Sequence, residues 1–361
     1  LEKYKIMKKN IITVTGIRPD FIRMSEIFKK LDKEFNHILI HTGQHFDKLL
    51  SDVFFDELEI RKPDYNLNIG SLNKEHFHQS AELSVKLIEL IRNENLNPDL
   101  ILFLGDSNSV TSSVSLKKEG YKIGHIEAGM RSYDKRMLEE INRIVCDHCS
   151  DFLFVYHENY KIKALKENID EKSIFVVGNT IVEVVKDFIP NELKLNNQII
   201  LDIHRPENFK YKNRLENIIK YSNLVSENYN IPVYMLGFKR TLNYLSEFGI
   251  ELGKIQVIDL QPFKNYLKLV YHSKFIISDS GTAQEEPALL DTPVIVPRDF
   301  TERPESIENN CSFMLDVNTL NNVTWNESID WMKNNYKFKD INWLGNGKTS
   351  EYIINIIKEK I

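Results

Sequence analysis

Apolar and polar positions follow two rhythms along this chain. Residues 10–15, NIITVT, are a β-branched run ending at Gly16. Beyond it Phe21, Met24, Ile27 and Leu31 recur at steps of three and four, which predicts strand, turn and helix. HILIHTG (37–43) predicts a second strand, followed by helical patterns near 46–58 and 75–95 and the strand DLILFLG (99–105). VTSSVSLKKEG reads as a helix stopped by Gly120, KIGHIE as a strand, the segment to about Ser150 as a helix and FLFVY (152–156) as a strand. A helix near 158–167 and the strand IFVVG (174–178) complete the series. Such alternation specifies a parallel sheet covered on both faces.

Near 186–197 (KDFIPNELKLNN) the pattern lapses into a polar stretch with a proline, and the domain boundary is placed there. The rhythm restarts with strand QIILDIH (198–204), helix NRLENIIKYSNLVSEN and strands IPVYMLG and KIQVIDL. A helix over 263–271, strand KFIISD (274–279), the turn Ser280-Gly281, helix AQEEPALLD and strand TPVIVP (292–297) follow. The tail from about 347, KTSEYIINIIKEKI, is an amphipathic helix. The expected architecture is α/β, with two Rossmann-like doubly wound domains, 1–187 and 188–346, facing a ligand cleft at the carboxyl ends of both sheets.

Composition narrows the function. The 361 residues supply core for two ordinary domains, and 42% hydrophobic with 27% charged content is the balance of a soluble globular chain. A net charge of −5 without a Lys/Arg block argues against nucleic acid as the main partner. Three cysteines, Cys146, Cys149 and Cys311, provide no disulfide framework, as expected in a reducing cytoplasm. No apolar run reaches membrane-spanning length, LEKYKIMKKN lacks the apolar centre of a signal peptide, and Met7 reads as the natural start. The expectation is a cytoplasmic protein without a membrane partner.

Candidate chemistry concentrates in His125–Arg143, HIEAGMRSYDKRMLEEINR, which holds three glutamates, three arginines, an aspartate and a histidine. Unpaired charges would cost several kcal/mol each in a core, so the stretch is expected on a solvated face or in a polar cleft. Glu127 falls where a strand gives way to a loop, and Glu139 shares a helix face with Arg143. Carboxylates at separated points of one loop–helix unit suit acid/base chemistry, whereas an ion-paired surface helix would place the same residues in solvent. Other strand ends carry Arg18 with Asp20, Gln44-His45, Asp106, His204-Arg205, Ser280-Gly281 and Arg303. The turn from Asp279 to Glu285 has capping-box spacing between Thr282 and Glu285, and a helix start with Ser and Gly suits a diphosphate. Arg18, Arg23 and Arg303 are candidate diphosphate clamps, and Glu286 could bond a ribose diol. Neither a Walker loop nor a GxGxxG after a strand is present, so NAD dependence is not expected. The Cys146-Asp147-His148-Cys149 cluster is a single one inside a helix, so no metal site is assigned to it.

The blocks GIRPDFIRMS, HTGQHFD, GDSNS, HIEAGMRSYD, EEINRIVCDH, IFVVGNT, HRPENF and SDSGTAQEEPALLDTPVIVPRDFTERPESIE resemble, in order, the signatures of the non-hydrolysing UDP-N-acetylglucosamine 2-epimerases, from about Ile11 to Glu308. The resemblance implies the two-domain glycosyltransferase-B architecture, with the C-terminal helix 347–361 crossing back to the first domain. It also implies interconversion of UDP-GlcNAc and UDP-ManNAc by expulsion and re-addition of UDP through a 2-acetamidoglucal, without a cofactor, for surface polysaccharide precursors. The family's catalytic carboxylates fall on Asp106, Glu127 and Glu139, and its histidine near the phosphates on His204. Its UDP ligands fall on Arg18, Ser280, Gly281, Glu286 and Arg303, and Arg23 stands where lysine is usual. A homodimer is implied as well.

Four departures bear on the substrate. Leu138 replaces the usual proline before EEINR, and the segment between Glu127 and Glu139 is two residues shorter than in typical relatives. The phosphate turn reads SGT, and Pro206 stands where arginine is common. The short segment and SGT resemble the subgroup that makes UDP-N-acetyl-L-fucosamine from UDP-2-acetamido-2,6-dideoxy-L-talose. Two alternatives are a hydrolysing relative, which would accumulate UDP, and a glycosyltransferase of the same architecture, which would need an acceptor. Gln44 and His45 match the block by which some relatives are activated by their own substrate. VYMLGFKRT lacks the accompanying histidine, so weak or absent activation is expected.

Overall fold

The computed structural model describes residues 8–43, 52–72, 75–335 and 340–361. The chain divides into two compact units, Leu1–Val184 with Leu344–Ile361, and Val185–Trp343. In the first, strands β1 (Asn10–Thr15), β2 (Asn36–His41), β3 (Tyr65–Asn66), β4 (Leu100–Leu104), β5 (Ile123–Ala128), β6 (Phe152–Val155) and β7 (Ile174–Val176) form one sheet. Its order is β3-β2-β1-β4-β5-β6-β7, and every pairing is parallel. β4 and β5 are buried along their whole length, as strands covered by helices on both faces must be.

The second unit repeats the scheme with β8 (Gln198–Asp202), β9 (Val233–Leu236), β10 (Gln256–Ile258), β11 (Ser273–Ser278), β12 (Val294–Val296) and β13 (Ser312–Met314). The order β10-β9-β8-β11-β12-β13 is again wholly parallel. In each sheet the direction of strand addition reverses once, between β1 and β4 and between β8 and β11. Crossover loops leave in opposite directions there, which opens a crevice at the carboxyl ends of the strands.

Local chemistry explains the elements that frame those crevices. The helix Arg18–Glu34 starts with Pro19, and the Asp20 carboxylate accepts the Gly16 and Ile17 N–H groups at 2.7 and 3.1 Å. It buries Phe21, Met24, Ile27, Phe28 and Leu31. The C-terminal helix Thr349–Lys360 packs on it, joined by Lys358–Glu34 at 2.7 Å and by Lys30 Nζ to Ser350 Oγ at 2.6 Å. The polar stretch 186–197 is docked on the second unit. Glu192 pairs with Lys268 and His272, and Lys194 donates to the Leu290 carbonyl and Thr292 hydroxyl.

The expected helix AQEEPALLD is instead a 3₁₀ turn, Thr282–Gln284, and a short helix, Glu286–Leu289. Pro287 lacks the N–H that would continue the first turn. Strands β3 and β13, two and three residues long, have no counterpart in the hydropathy pattern, because so short a run shows no alternation. Among the described residues no helix is long and apolar enough to cross a membrane.

Candidate active site

Glu127 is the most unusual residue of the first sheet. It sits in β5 at φ +70°, a left-handed conformation that costs a non-glycine residue about 1–3 kcal/mol. The register between β5 and β6 shifts between Ile126 and Ala128, so Glu127 is the extra residue of a bulge, a device that re-aims a side chain. Its side chain is 5% exposed, and Oε2 lies 3.1 Å from Arg23 Nη1, which also reaches Asn179 Oδ1 at 3.4 Å. Arg23, expected as a diphosphate clamp, thus directs its guanidinium at the candidate base. Gly129 follows at φ +75°, with space for a Cβ closed by the Tyr160 carbonyl at 2.6 Å.

Asp106 lies just past the end of β4. Its carboxylate is gripped by Arg143 and its carbonyl accepts Asn142 Nδ2 at 2.8 Å. Both partners come from the helix Leu138–Cys149, whose first turn holds Glu139 and Glu140. Glu139 is half-buried. Glu140 is buried and accepts the Ser132 and Tyr133 N–H groups, both at 2.9 Å, which shapes the loop leading into the helix. Asp20, 3% exposed, belongs to the same environment. Burial pushes its carboxyl up to about 7, and the charges of Asp106 and Glu127 add to the rise against two backbone donors.

The charged stretch is split: Lys135 and Arg136 lie in solvent, while most of its other charges are buried. His125, Glu127, Arg131, Glu140 and Arg143 are all buried, because they are paired. His125 Nδ1 lies 2.6 Å from Asp147 Oδ1, and Nε2 lies 2.7 Å from the Gly105 carbonyl. Asp147 Oδ2 accepts the Gly129 N–H at 3.0 Å and pairs with Arg131 at 2.7 Å. Arg131 also makes a forked pair with Glu167 at 2.8 and 2.6 Å. Burial alone would lower the His125 pKa, but Cys146 and Asp147 outweigh it and hold it well above the ordinary imidazole value. Burial would raise Asp147, and His125 with Arg131 pull it below the ordinary carboxylate value. Asp147 is therefore an ion-pair partner rather than part of a cysteine–histidine cluster. Among the described residues no group of three His, Cys, Asp or Glu is placed to hold a metal ion.

In the second unit the switch point is built around Asp279. This fully buried carboxylate follows β11 and accepts the His204 N–H at 3.0 Å, the Arg205 N–H at 3.1 Å and Asn208 Nδ2 at 3.0 Å. It thereby fixes the loop after β8. Its carboxyl is raised by burial, against His204. His204 Nδ1 lies 2.9 Å from Asp202, which leaves Nε2 as the other ring nitrogen on a side chain 32% exposed. Burial lowers the His204 pKa, but Asp202 and Asp279 raise it further, so the net shift is upward.

Ser280 Oγ and Thr282 Oγ1 stand 3.1 Å apart in the following turn. A Cβ on Gly281 would lie 2.5 Å from Glu302 Oε1 and 2.6 Å from Arg303 Nη1, so a larger residue there would have to displace that ion pair. Arg303 is 2% exposed and binds Glu285 at 2.7 Å and Glu302 at 2.6 Å. The capping box expected between Thr282 and Glu285 is absent: Glu285 serves Arg303, and the helix that follows has one turn. Any anion site here rests on hydroxyls and local N–H groups rather than on a long helix dipole. Glu286 is buried at the start of that turn.

Arg18 stacks its guanidinium on Phe54, 5.2 Å from the ring centre, at the loop after β1. The structure thus gathers Asp20, Arg23, Asp106, Glu127 and Arg143 around one switch point, and His204, Asp279, Ser280 and Gly281 around the other. Gln44 and His45 lie outside the described residues. The sequence pattern gives no role to Asn142, Asn179 or Asp202, and it places Asp147 only within the cysteine–histidine cluster. Asp147 had a signal: Glu140, Arg143 and Asp147 recur at helical steps on one buried face.

The family described as UDP-N-acetylglucosamine 2-epimerase matches residues 29–358. A UDP-N-acetylglucosamine 2-epimerase of Methanococcus maripaludis is 34% identical over 95% of this chain and 97% of its own. A UDP-2,3-diacetamido-2,3-dideoxy-D-glucuronate 2-epimerase of Pseudomonas aeruginosa is 32% identical over 82% of this chain and 85% of its own. The crystal structure of Methanocaldococcus jannaschii UDP-GlcNAc 2-epimerase in complex with UDP-GlcNAc and UDP superposes with a TM-score of 0.87. It is 33% identical and covers 97% of this chain and 99% of that one. With paired carboxylates at one switch point, a hydroxyl-lined turn at the other and these matches along nearly its whole length, the chain belongs to the UDP-N-acetylglucosamine 2-epimerase family and is an epimerase.

Proposed function

We propose that this epimerase interconverts UDP-GlcNAc and UDP-ManNAc by expelling UDP and adding it back. A base takes the C2 proton as the C1–O bond breaks; that bond's electrons leave with UDP, and the C2–H pair forms the C1–C2 double bond of a 2-acetamidoglucal. A UDP phosphate oxygen then rejoins C1 while a proton reaches C2 from the opposite face. Atoms and electrons balance without an oxidant, since the net change is an inversion. The C2 proton is not acidic, so departure of a well-held diphosphate must drive its removal.

Glu127 carries this reading. A carboxylate held on a strained bulge against an arginine, at the carboxyl end of a central strand, supports a role in proton transfer rather than in packing. Asp106 and Glu139 are assigned the second proton position and the positive charge that develops at C1. Arg18, Arg23, His204, Ser280, Gly281 and Arg303 are assigned to UDP, and Glu286 to its ribose. Arg23 also holds Glu127, and Arg303 acts through the turn against which it packs. A cytoplasmic homodimer feeding surface polysaccharide synthesis is the setting this reading carries with it.

A second substrate has its own support. The short segment between Glu127 and Glu139 and the SGT turn favour the same C2 inversion on UDP-2-acetamido-2,6-dideoxy-L-talose, giving UDP-N-acetyl-L-fucosamine. The test is proton NMR with UDP-GlcNAc in deuterated water. Loss of the C2 proton signal with UDP-ManNAc appearing and no net UDP is the expected result. Accumulating UDP with free sugar would mean hydrolysis. No exchange by a protein that binds UDP overturns the UDP-GlcNAc assignment, and the talose nucleotide is then the substrate to try. Turnover only with an added acceptor would make it a transferase.

A further inference from the structure

The fully buried pair His125–Asp147 touches every segment that bears a candidate catalytic carboxylate. His125 lies on β5, two residues before Glu127, and its Nε2 meets the carbonyl of Gly105, the residue before Asp106. Its Nδ1 meets Asp147 on the helix whose first turn carries Glu139. Asp147 uses its other oxygen on the N–H of Gly129, two residues after Glu127. The bulge is thus held on both sides, and the loop after β4 and the helix are tied to it through one imidazole and one carboxylate.

The ring nitrogens face two acceptors, a carboxylate and a carbonyl, with Cys146 also beside the ring. The ring satisfies both only with a proton on each nitrogen, as an imidazolium. A neutral ring would leave either the Gly105 carbonyl or Asp147 facing a bare nitrogen in a site without water exposure.

We propose that His125 and Asp147 are positioning residues, a buried ion pair that sets the Asp106 loop, the Glu127 bulge and the Glu139 helix at fixed distances from one another. The proposal rests on the epimerase reading and deepens it. Its physical basis is the left-handed Glu127: strained backbone persists only where its surroundings over-determine it. Arg23 constrains the side chain of Glu127, whereas His125 and Asp147 constrain the backbone on either side. Proton transfer is sensitive to such placement, with about 100-fold in rate for a shift of about 1 Å.

A control is available in the same sheet. His37 is a second buried histidine, bonded to Asp32 at 2.6 Å and Thr13 at 2.8 Å, near the amino end of β2 and away from the carboxyl ends that carry the site. His125→Gln, Asp147→Asn and their double variant are compared with His37→Gln by thermal unfolding, UDP affinity and C2 proton exchange. The expected result is loss of stability in all. Only the His125 and Asp147 variants should lose about 100-fold in kcat, with UDP affinity kept and the double variant no worse than the singles.

Wild-type kcat in a folded His125→Gln, or a kcat loss in His37→Gln of the same size, overturns the proposal. Nitrogen NMR of the wild-type imidazole gives a check that needs no variant: both His125 ring nitrogens should carry protons at neutral pH, and a bare nitrogen overturns it. Failure of the epimerase reading is separate, since the wild type itself would then show no C2 exchange.

Discussion

The two sheets share a strand order and a switch point, yet the chemistry placed on them differs. At the first, the loops deliver carboxylates, and these are held by buried cations: Arg143 on Asp106, Arg23 on Glu127, Arg131 and His125 on Asp147. At the second, buried carboxylates face inward to organise loops. Asp279 collects three N–H donors, and Glu285 with Glu302 fix Arg303 beneath Gly281, which leaves hydroxyls at the surface of the turn. The two switch points also differ in the conformation of one key residue each. The first sheet carries a left-handed glutamate inside a strand, whereas Gly281 lies at φ −64° and needs its small size rather than an unusual conformation. One topology supports both because it determines only where strand ends lie, and the residues at those ends determine what they do.

Removing the first sheet's bulge carboxylate is the most direct way to break this contrast. Glu127→Gln keeps the shape and the Arg23 contact but removes the basic oxygen. Turnover is expected to fall about 10²–10⁴-fold, the usual worth of a general acid or base, with UDP affinity kept. C2 proton exchange and calorimetry on one sample check both halves, and wild-type turnover would remove Glu127 from the chemistry. Arg303→Ala should do the reverse. Buried Glu285 loses its Arg303 partner while Glu302 keeps Arg298 at 3.1 Å, and stability should drop by about 3–5 kcal/mol in urea unfolding, together with UDP binding. Unchanged stability would mean that Arg303 does not organise the turn.

Arg18→Ala should act on binding alone. Loss of one charge-assisted contact, about 1.5–3 kcal/mol, corresponds to roughly 10- to 100-fold weaker UDP binding. A kcat loss at saturating substrate would move Arg18 into the chemistry. Asp20→Asn is the sharpest test of the first switch point's electrostatics. The folded carboxyl is pushed up to about 7 from 3.8, so between those values the unfolded chain ionises first and binds fewer protons. Stability from this group is therefore complete below 3.8 and falls as pH rises toward 7. The Asn variant, whose oxygen can still accept the Gly16 and Ile17 N–H groups, should show a flatter melting temperature across that window. An unchanged slope would place the Asp20 pKa near normal.

How much of this was legible depended on the range of the interaction. The strand at 10–15, its turn and the helix beginning at Arg18 could be read because their pattern is local: a β-branched run, a glycine and apolar residues at helical steps. Strands β3 and β13 could not, since two or three residues pair only because a neighbouring edge is there. Glu127 could be picked as the residue ending a strand, but its bulge could not. That conformation depends on β6 alongside, on Arg23 more than a hundred positions earlier (|i−j| = 104) and on the close approach of Tyr160 to Gly129. The capping box at Thr282 and Glu285 was a sound local inference that lost to a tertiary one, because Arg303 offered Glu285 a full charge where the helix start offered a partial one.

The sequence by itself determined the order of elements, the doubling of the α/β pattern, the polar strand ends and the family. All of these reside in residue type and spacing along the chain. Only the tertiary structure decided which charges meet. A stretch dense in glutamate and arginine can be solvated or buried with equal local propensity. The outcome rests on whether distant segments bring a partner to each ion, since an unpaired buried charge costs far more than a paired one. That is why His125, Glu127, Arg131, Glu140 and Arg143 form a buried ionic framework, while Lys135 and Arg136 of the same stretch remain in solvent.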